Sequence, residues 1–452
     1  MFPGRSASRY TLVTVSGART SLSGWLARMG FTDVPKAERE LAALGMTSEG
    51  HPLLAFLAQA ADPDLALAGL AQVAERDPGL IGALSEDPEL RARLSAVLGV
   101  SKAMADHLVR HPGDIAVLRG QEARRRPDAK TIREEFLRAV AADPADAEPT
   151  AGTPEKDSAE KDSAERLAAA YHRRLLHLAA RDLTGEATVD QVAEELADLA
   201  DAVLEAALAI ARAELPPDSA PVRFAIVAMG KCGARELNYA SDIDVIFVAE
   251  PYDHDACSGE PTDEAALKTA TRLAAGLIRA CERATPEGSL FPVDPNLRPE
   301  GRQGPLVRSL ASHLAYYDRW AKTWEFQALL KARPAAGDAA LGKRYTDAVT
   351  PLVWQVSRRE NFVEDVQAMR RRVVDTLPKN MAGRELKLGP GGLRDIEFAV
   401  QLLQLVHGRD DDRVRVPATL PALAALAAGG YVGRADAEDL AQAYRFLRQT
   451  EH

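Results

Sequence analysis

The sequence predicts an α+β protein, predominantly helical, with a small sheet embedded between helical bundles. Three observations predict it. Apolar residues recur at three-and-four spacing over most of the chain, as amphipathic helices require. Two short runs, Val222 to Met229 and Ile243 to Val248, replace that period with dense β-branched and aromatic residues, and Leu290 to Asp294 offers a third. Beyond residue 308 the helical spacing returns. At 452 residues, with 46% apolar and 27% charged residues, the chain can bury a large core without covalent staples. A prior of about 150 residues per domain suggests roughly three units.

Taken in order, residues 1–141 read as an N-terminal helical region that begins with an unanchored stretch of about 20 residues. His51-Pro52, Asp77-Pro78, Asp87-Pro88 and His111-Pro112-Gly113 divide it into short helices, because X-Pro disfavours helix continuation. Residues 142–165 read as a flexible linker. They are rich in Pro, Asp, Glu, Ser and Thr, and repeat Glu-Lys-Asp-Ser-Ala at 155–159 and 160–164. Residues 166–310 are expected to form a catalytic domain, led by helices over about 165–182 and 188–213. The second carries Val192, Leu196, Leu199, Val203, Ala206 and Ile210 on one face. Strands over 222–229 and 243–248, a helix over 263–284 and a strand over 290–294 follow, with Pro292 marking an edge or a bulge. Residues 311–452 read as a helical bundle, with helices near 308–320, 322–332, 337–348, 358–375, 393–408 and 433–449.

The composition excludes several functions. Acidic residues outnumber basic ones by 66 to 56, a net charge of −10 that disfavours non-specific nucleic-acid binding. No run of 18 apolar residues offers a membrane span, and the N-terminus lacks a secretory core. Three scattered cysteines, Cys232, Cys257 and Cys281, argue against a disulfide framework or a zinc site. The cytoplasm is the expected location.

The chemistry concentrates around the short strands. Asp242 and Asp244 flank Ile243, so both carboxylates project to one face of the second strand. Carboxylates that close repel unless a cation lies between them, and oxygen ligands suit Mg²⁺ or Mn²⁺. Asp294, near the end of the third strand, is the candidate third ligand. Gly230 and Gly233 follow the first strand, where glycine lets the backbone approach a phosphate. The order of strand, glycine loop, D-x-D strand, helix and Asp-bearing strand points to phosphoryl or nucleotidyl transfer.

Three blocks carry a resemblance. Gly230 to Phe247 (GKCGARELNYASDIDVIF), Val293 to Val307 (VDPNLRPEGRQGPLV) and Leu386 to Phe398 (LKLGPGGLRDIEF) resemble, in order, signatures of the bifunctional glutamine synthetase adenylyltransferase/adenylyl-removing enzymes. These belong to the DNA polymerase β-like nucleotidyltransferases. The resemblance covers about 165–452, with roughly the first 130 residues similar to the helical N-terminal region of actinobacterial members. Family enzymes are about twice this long and carry two nucleotidyltransferase domains. One D-x-D block is present here, so the chain resembles the N-terminal, adenylyl-removing half, with the C-terminal transferase half, which adenylylates the synthetase with ATP, absent.

The resemblance implies phosphorolysis of adenylyl-tyrosine on glutamine synthetase, releasing ADP. It implies Asp242, Asp244 and Asp294 as catalytic, Mg²⁺- or Mn²⁺-holding residues. Gly230, Lys231, Gly233, Arg235, Ser241, Arg298 and Arg302 become the candidates for substrate or phosphate contact, with Arg394 a weaker one. Adenylylated glutamine synthetase, phosphate, ADP or ATP and, for the full-length enzyme, the PII signal protein are the implied partners. Two alternatives stay open: a non-catalytic module that binds PII or glutamine synthetase, and a nucleotidyltransferase with another acceptor.

Other residues read more plainly. Glu236 and Asn238 are expected to shape the loop, and Asp395 and Glu397, two apart on a helix, to be structural. Trp320, Trp324 and Phe326 are expected in the core, as are the cysteines and His407. His107 and His111 read as surface residues.

Overall fold

The computed structural model describes residues 21–46, 51–152, 162–252, 263–375 and 384–452. It is predominantly helical with one small mixed sheet, the α+β class expected. The chain divides into two compact units, one up to Arg119 and the other from Gly120 onward. The division falls inside the stretch 1–141.

The first unit holds α1 (Leu22–Arg28), α2 (Val34–Ala43), α3 (Pro52–Leu57), α4 (Pro63–Arg76), α5 (Leu80–Glu86), α6 (Pro88–Leu98) and α7 (Lys102–Arg110). Two of its Asp-Pro pairs, Asp62-Pro63 and Asp87-Pro88, start helices. Asp62 Oδ1 accepts from Leu65 N at 2.9 Å and Asp87 Oδ1 from Leu90 N at 3.0 Å, while the following proline sits in the first turn, where no N–H is needed. Leu67, Leu70, Val73, Leu94 and Leu108 are buried within it. His107 differs from its surface reading: it is 1% exposed, with Nε2 2.9 Å from Asp114 Oδ2.

The second unit begins with α8 (Ala129–Ala139), α9 (Ser163–Leu183) and α10 (Val189–Ala213). Residues 142–152, the described first part of the expected linker, pack along α10. Ala151 N donates to Ala209 O at 3.0 Å, and Arg212 Nη1 donates to Pro149 O at 2.9 Å. Residues 153–161 lie outside the described residues, and Ser163 onward is already helix.

Helix α10 is buried nearly all round and organises the unit through acids that its apolar pattern concealed. Glu195 pairs with Arg181 of α9 at 2.8 Å, and Glu205 with Arg133 of α8 at 3.2 Å. Asp198 receives Arg126 at 2.7 Å and Arg235 at 2.5 Å. Asp201 holds both terminal nitrogens of Arg333, at 2.5 and 2.9 Å. Each buried acid thus meets an arginine from another element, as burial of charge requires.

The sheet is built on β1 (Val222–Ala228). After the short α11 (Gly230–Gly233) comes β2 (Ile243–Pro251), then α12 (Asp263–Glu282), β3 (Val293–Asp294), β4 (Val307–Arg308), α13 (Leu310–Arg319), α14 (Thr323–Leu329) and β5 (Arg333–Gly337). Strand order is β3-β2-β1-β5, with β4 also pairing β2. β1 is antiparallel to β2 and β5, whereas β3 and β4 run parallel to β2. Pro292 immediately precedes edge strand β3, so its missing N–H leaves no ladder position unfilled.

Side chains alternate across the sheet with period two. Phe224, Ile226, Ala228, Val245 and Phe247 pack against α10 and α12. Ala225, Val227, Met229, Ile246 and Val248 face a second core that includes Tyr317, Phe326, Leu341, Tyr345 and Val353. The helices over this face are α13, α14, α15 (Ala339–Gln355), α16 (Phe362–Asp375) and α17 (Leu393–His407). With α17, α18 (Thr419–Ala428) and α19 (Arg434–Glu451) enclose a further core around Leu393, Val400, Leu423 and Tyr444.

Two expectations about aromatic residues are corrected here. Trp320 is 73% exposed rather than buried, because α13 ends at Arg319 and the chain turns outward. Trp324 is only half-buried, while Phe326 is in the core beneath the Arg359 guanidinium. His407, half-buried, stacks on Tyr431 at 3.9 Å. Cys232 and Cys281 are buried free thiols, pushed up by burial; Cys257 lies outside the described residues.

Candidate active site

The parallel pairing of β2 with β3 places Asp244 directly opposite Asp294, with Ile243 opposite Val293. Asp242 stands one residue before β2, exposed, with Ser241 Oγ donating to its carbonyl at 2.9 Å. The carboxyl of Asp244 is pushed up to about 6 by burial, then by the charges of Asp242 and Asp294, against weaker relief from Lys387 and Arg394. Three mutually repelling carboxylates, with one held far above its usual range, are a donor set that fits a hard divalent cation. Asp294 is also fixed from behind, its Oδ1 accepting from Asn296 N at 2.7 Å.

Gly230 lies against this trio. Its φ is +52°, and a Cβ there would overlap Asp244 Oδ2. Only glycine combines that backbone conformation with so close an approach. Met229 N also donates to the Asp244 carbonyl at 2.8 Å, tying the loop to β2.

A cavity of about 230 Å³ opens beside these residues. Gly230, Lys231, Ser241, Asp242 and Asp244 line one wall. Helix α14 and the turn after it supply Trp324, Gln327, Ala328 and Lys331, and α17 supplies Arg394, Glu397, Phe398 and Gln401. Both sets fall at i, i+3, i+4 and i+7, the spacing of one helical face. Met369 and Val373 of α16, Leu297 and Lys387 complete the lining.

The cations here are held in a buried network. Lys231 Nζ lies 2.9 Å from both carboxylate oxygens of Glu451 on α19, and burial and Lys387 lower its pKa. Lys331 Nζ donates to Glu236 Oε2 at 3.0 Å. Burial opposes its charge, but Glu236 and Glu397 outweigh that and raise it. Glu236 also accepts from Thr419 N at 2.6 Å, so the glycine loop is bonded to α18. Glu397 accepts from Arg394 at 3.1 Å and Tyr444 at 3.3 Å, and Lys331, Arg394 and Lys231 keep it ionised despite burial. Glu236 thus shapes the loop as expected, whereas Glu397, read as structural, faces the cavity.

The remaining expected contacts lie elsewhere. Gly233 is buried where a Cβ would strike the carbonyls of Lys331 and Ala228, so it permits backbone packing and does not line the cavity. Arg235 turns away to Asp198 on α10, with φ +59°. Arg298 donates to the carbonyls of Pro295, Gly304 and Pro305 and so clamps the loop after Asp294. Arg302 is exposed outside the cavity lining. Asp395 is structural, 2.5 Å from Arg370 Nε and accepting from Gly391 N at 2.6 Å.

Sequence reading missed Lys331, Lys387, Gln327 and Gln401. For Gln327, Lys331 and Gln401 a usable signal existed, polar residues three or four apart along otherwise apolar helical stripes, whereas Lys387, in the turn before α17, had none.

The family model described as glutamate-ammonia ligase adenylyltransferase matches residues 91–348, more than half of the chain. That described as GlnD PII-uridylyltransferase matches residues 362–452. A Streptomyces coelicolor protein named bifunctional glutamine synthetase adenylyltransferase/adenylyl-removing enzyme is 54% identical over 96% of this chain and 42% of its own length. Proteins of the same name from Mycobacterium avium and Mycobacterium tuberculosis are each 48% identical over 94% of the chain, covering 40% and 41% of their lengths. The chain therefore spans about two-fifths of these relatives. By the extent of the first match, the chain belongs to the glutamate-ammonia ligase adenylyltransferase family.

Proposed function

We propose that this chain removes the adenylyl group from the modified tyrosine of glutamine synthetase by phosphorolysis. The relatives' name couples two opposing activities, and we assign the removing one to this part. The observation that carries the reading is the in-register pairing of Asp244 with Asp294 beside Asp242, at a cavity with Lys231, Lys387 and Arg394 in its lining. An oxygen of inorganic phosphate forms a bond to the adenylyl phosphorus while the phosphorus–tyrosyl oxygen bond breaks, giving ADP and tyrosinate.

Asp242, Asp244 and Asp294 would hold Mg²⁺ or Mn²⁺, which when bound supplies neutralisation of charge on the phosphate oxygens. Lys231, Lys387 and Arg394 let two anions meet by offsetting their repulsion. Gly230 holds the loop backbone against Asp244 and fixes that carboxylate's place. A tyrosinate, with a pKa of about 10, leaves without a strong general acid.

The similarity of residues 362–452 to a PII-uridylyltransferase model supports the PII signal protein as a partner of the whole enzyme, and we assign the chain to the cytoplasm, where these substrates would meet it. A silent module binding PII would not need all three carboxylates. The test is to incubate the chain with adenylylated glutamine synthetase, phosphate and Mg²⁺ and follow ADP. Asp242→Asn is expected to abolish it. Undiminished ADP from that variant refutes the assigned site, and no ADP together with tight PII binding replaces the enzyme by the module.

A further inference from the structure

Among the described residues, one acceptor in the cavity lining has no donor. Gln327 is 4% exposed, and its Nε2 donates to Gln401 Oε1 at 2.7 Å, but its own Oε1 is buried without a hydrogen-bond partner. A buried amide oxygen left unpaired is costly, and in a cavity wall it marks a place where a ligand donor completes the bond. With the amide–amide bond made, the pair keeps an unpaired acceptor, Gln327 Oε1, and N–H donors that include those of Gln401 Nε2. Trp324, one turn before Gln327, and Phe398, one turn before Gln401, line the same cavity with aromatic surface. The cavity thus has two characters: carboxylates and cations toward β2, and an apolar, aromatic end that contains a single amide pair.

We propose that this end is the nucleobase subsite and that the Gln327–Gln401 pair selects adenine. Gln327 Oε1 accepts from the exocyclic amine, Gln401 Nε2 donates to a ring nitrogen beside it, and Trp324 stacks on the ring. Hypoxanthine replaces that amine with a carbonyl and protonates N1, so it meets acceptor with acceptor and donor with donor. The inference rests on the nucleotidyl reading above for the presence of a nucleotide, and deepens it by naming what recognises the base.

The test measures equilibrium binding of ADP and IDP, with Mg²⁺, to the full chain and to Gln327→Leu, Gln401→Leu and Trp324→Ala. The unaltered chain is expected to prefer ADP by about tenfold or more, the discrimination typical of a donor–acceptor pair. Either glutamine variant is expected to bind the two nucleotides equally, whereas Trp324→Ala weakens both by a similar factor of about ten. No preference in the unaltered chain, or a preference that survives in both glutamine variants, overturns the subsite. Phosphorolysis of adenylylated glutamine synthetase is followed in parallel. ADP release without base preference removes the subsite and leaves the reaction standing; base preference without ADP release does the reverse.

Discussion

Gly230 lies so close to Asp244 that a Cβ on the glycine would overlap the carboxylate oxygen Oδ2. The glycine loop is therefore a packing partner of the acidic trio as well as a turn. Gly230→Ala would impose both a left-handed backbone on an L residue, at about 1–2 kcal/mol, and displacement of Asp244. Because misplacement of a reacting group by about 1 Å can cost about 100-fold, the variant is expected to lose the proposed phosphorolytic turnover by about that factor. Its fold should persist. Circular dichroism beside the ADP assay checks this, and near-normal turnover would show that the overlap is relieved harmlessly.

Lys331 and Glu236 form a pair that is buried on both sides, 7% and 11% exposed at the side chains. Removing one partner leaves the other charge without its counterion. Lys331→Met is expected to cost about 3–5 kcal/mol in urea unfolding, since Glu236 would then face Glu397 and Tyr444 with its charge uncompensated. Lys331→Met combined with Glu236→Gln should recover part of that loss, because Glu236 no longer carries a charge, while Glu397 loses Lys331 but keeps Arg394. Equal losses in the single and double variants would mean that the pair contributes through packing alone.

His177 gives the stability a pH dependence whose sign follows from its burial. Burial and the neighbouring Arg181 lower its pKa from 6.5 to about 4, and its Nε2 lies 3.3 Å from Glu122 O. The unfolded chain therefore takes up a proton near pH 6.5, whereas the folded protein does so only near pH 4. Stability from the neutral imidazole is present above pH 6.5 and is lost as pH falls through that window. By linkage the loss reaches about 2 kcal/mol at pH 4.5. His177→Gln should flatten the urea midpoint between pH 7 and 4.5 by that amount, and an unchanged slope would assign acid lability to other groups.

Much of this architecture was legible in the sequence because its periods are local. The alternation in β1 and β2, the heptad-like stripe of α10 and the D-x-D step each express a repeat within a few residues. What was missed depends on partners distant in the chain. Strand β5 reads Arg-Pro-Ala-Ala-Gly, with no β-branched residue, and covers the gap between two expected helices together with the first residue of the second. Pairing with β1, and the bond from Gly337 N to Glu205 Oε2 at 2.7 Å, hold it in the sheet. Helix α18, Thr-Leu-Pro-Ala-Leu-Ala-Ala-Leu-Ala-Ala, is apolar nearly throughout and so shows no period. Lys331 and Glu397 were hidden for the opposite reason: ionised residues are read as solvent-facing, and these are buried only because each supplies part of the other's compensation.

Arg333 shows what the unforeseen strand contributes to the site. From β5 it holds Asp201 of α10 with both terminal nitrogens, and it also donates to the carbonyls of Cys232 and Gly233 at 3.1 and 3.3 Å. One guanidinium thus joins the pillar helix, the sheet and the glycine loop. Lysine keeps the charge but has neither the planar fork nor enough fixed donors to reach all four acceptors. Arg333→Lys is expected to cost about 2 kcal/mol of stability and to lower the proposed phosphorolytic turnover more than it alters the KM for the proposed substrate, adenylylated glutamine synthetase, since the loop that carries Gly230 and Lys231 would lose an anchor. Unfolding curves and steady-state kinetics separate the two effects. Full turnover with only reduced stability would limit Arg333 to holding the sheet on α10.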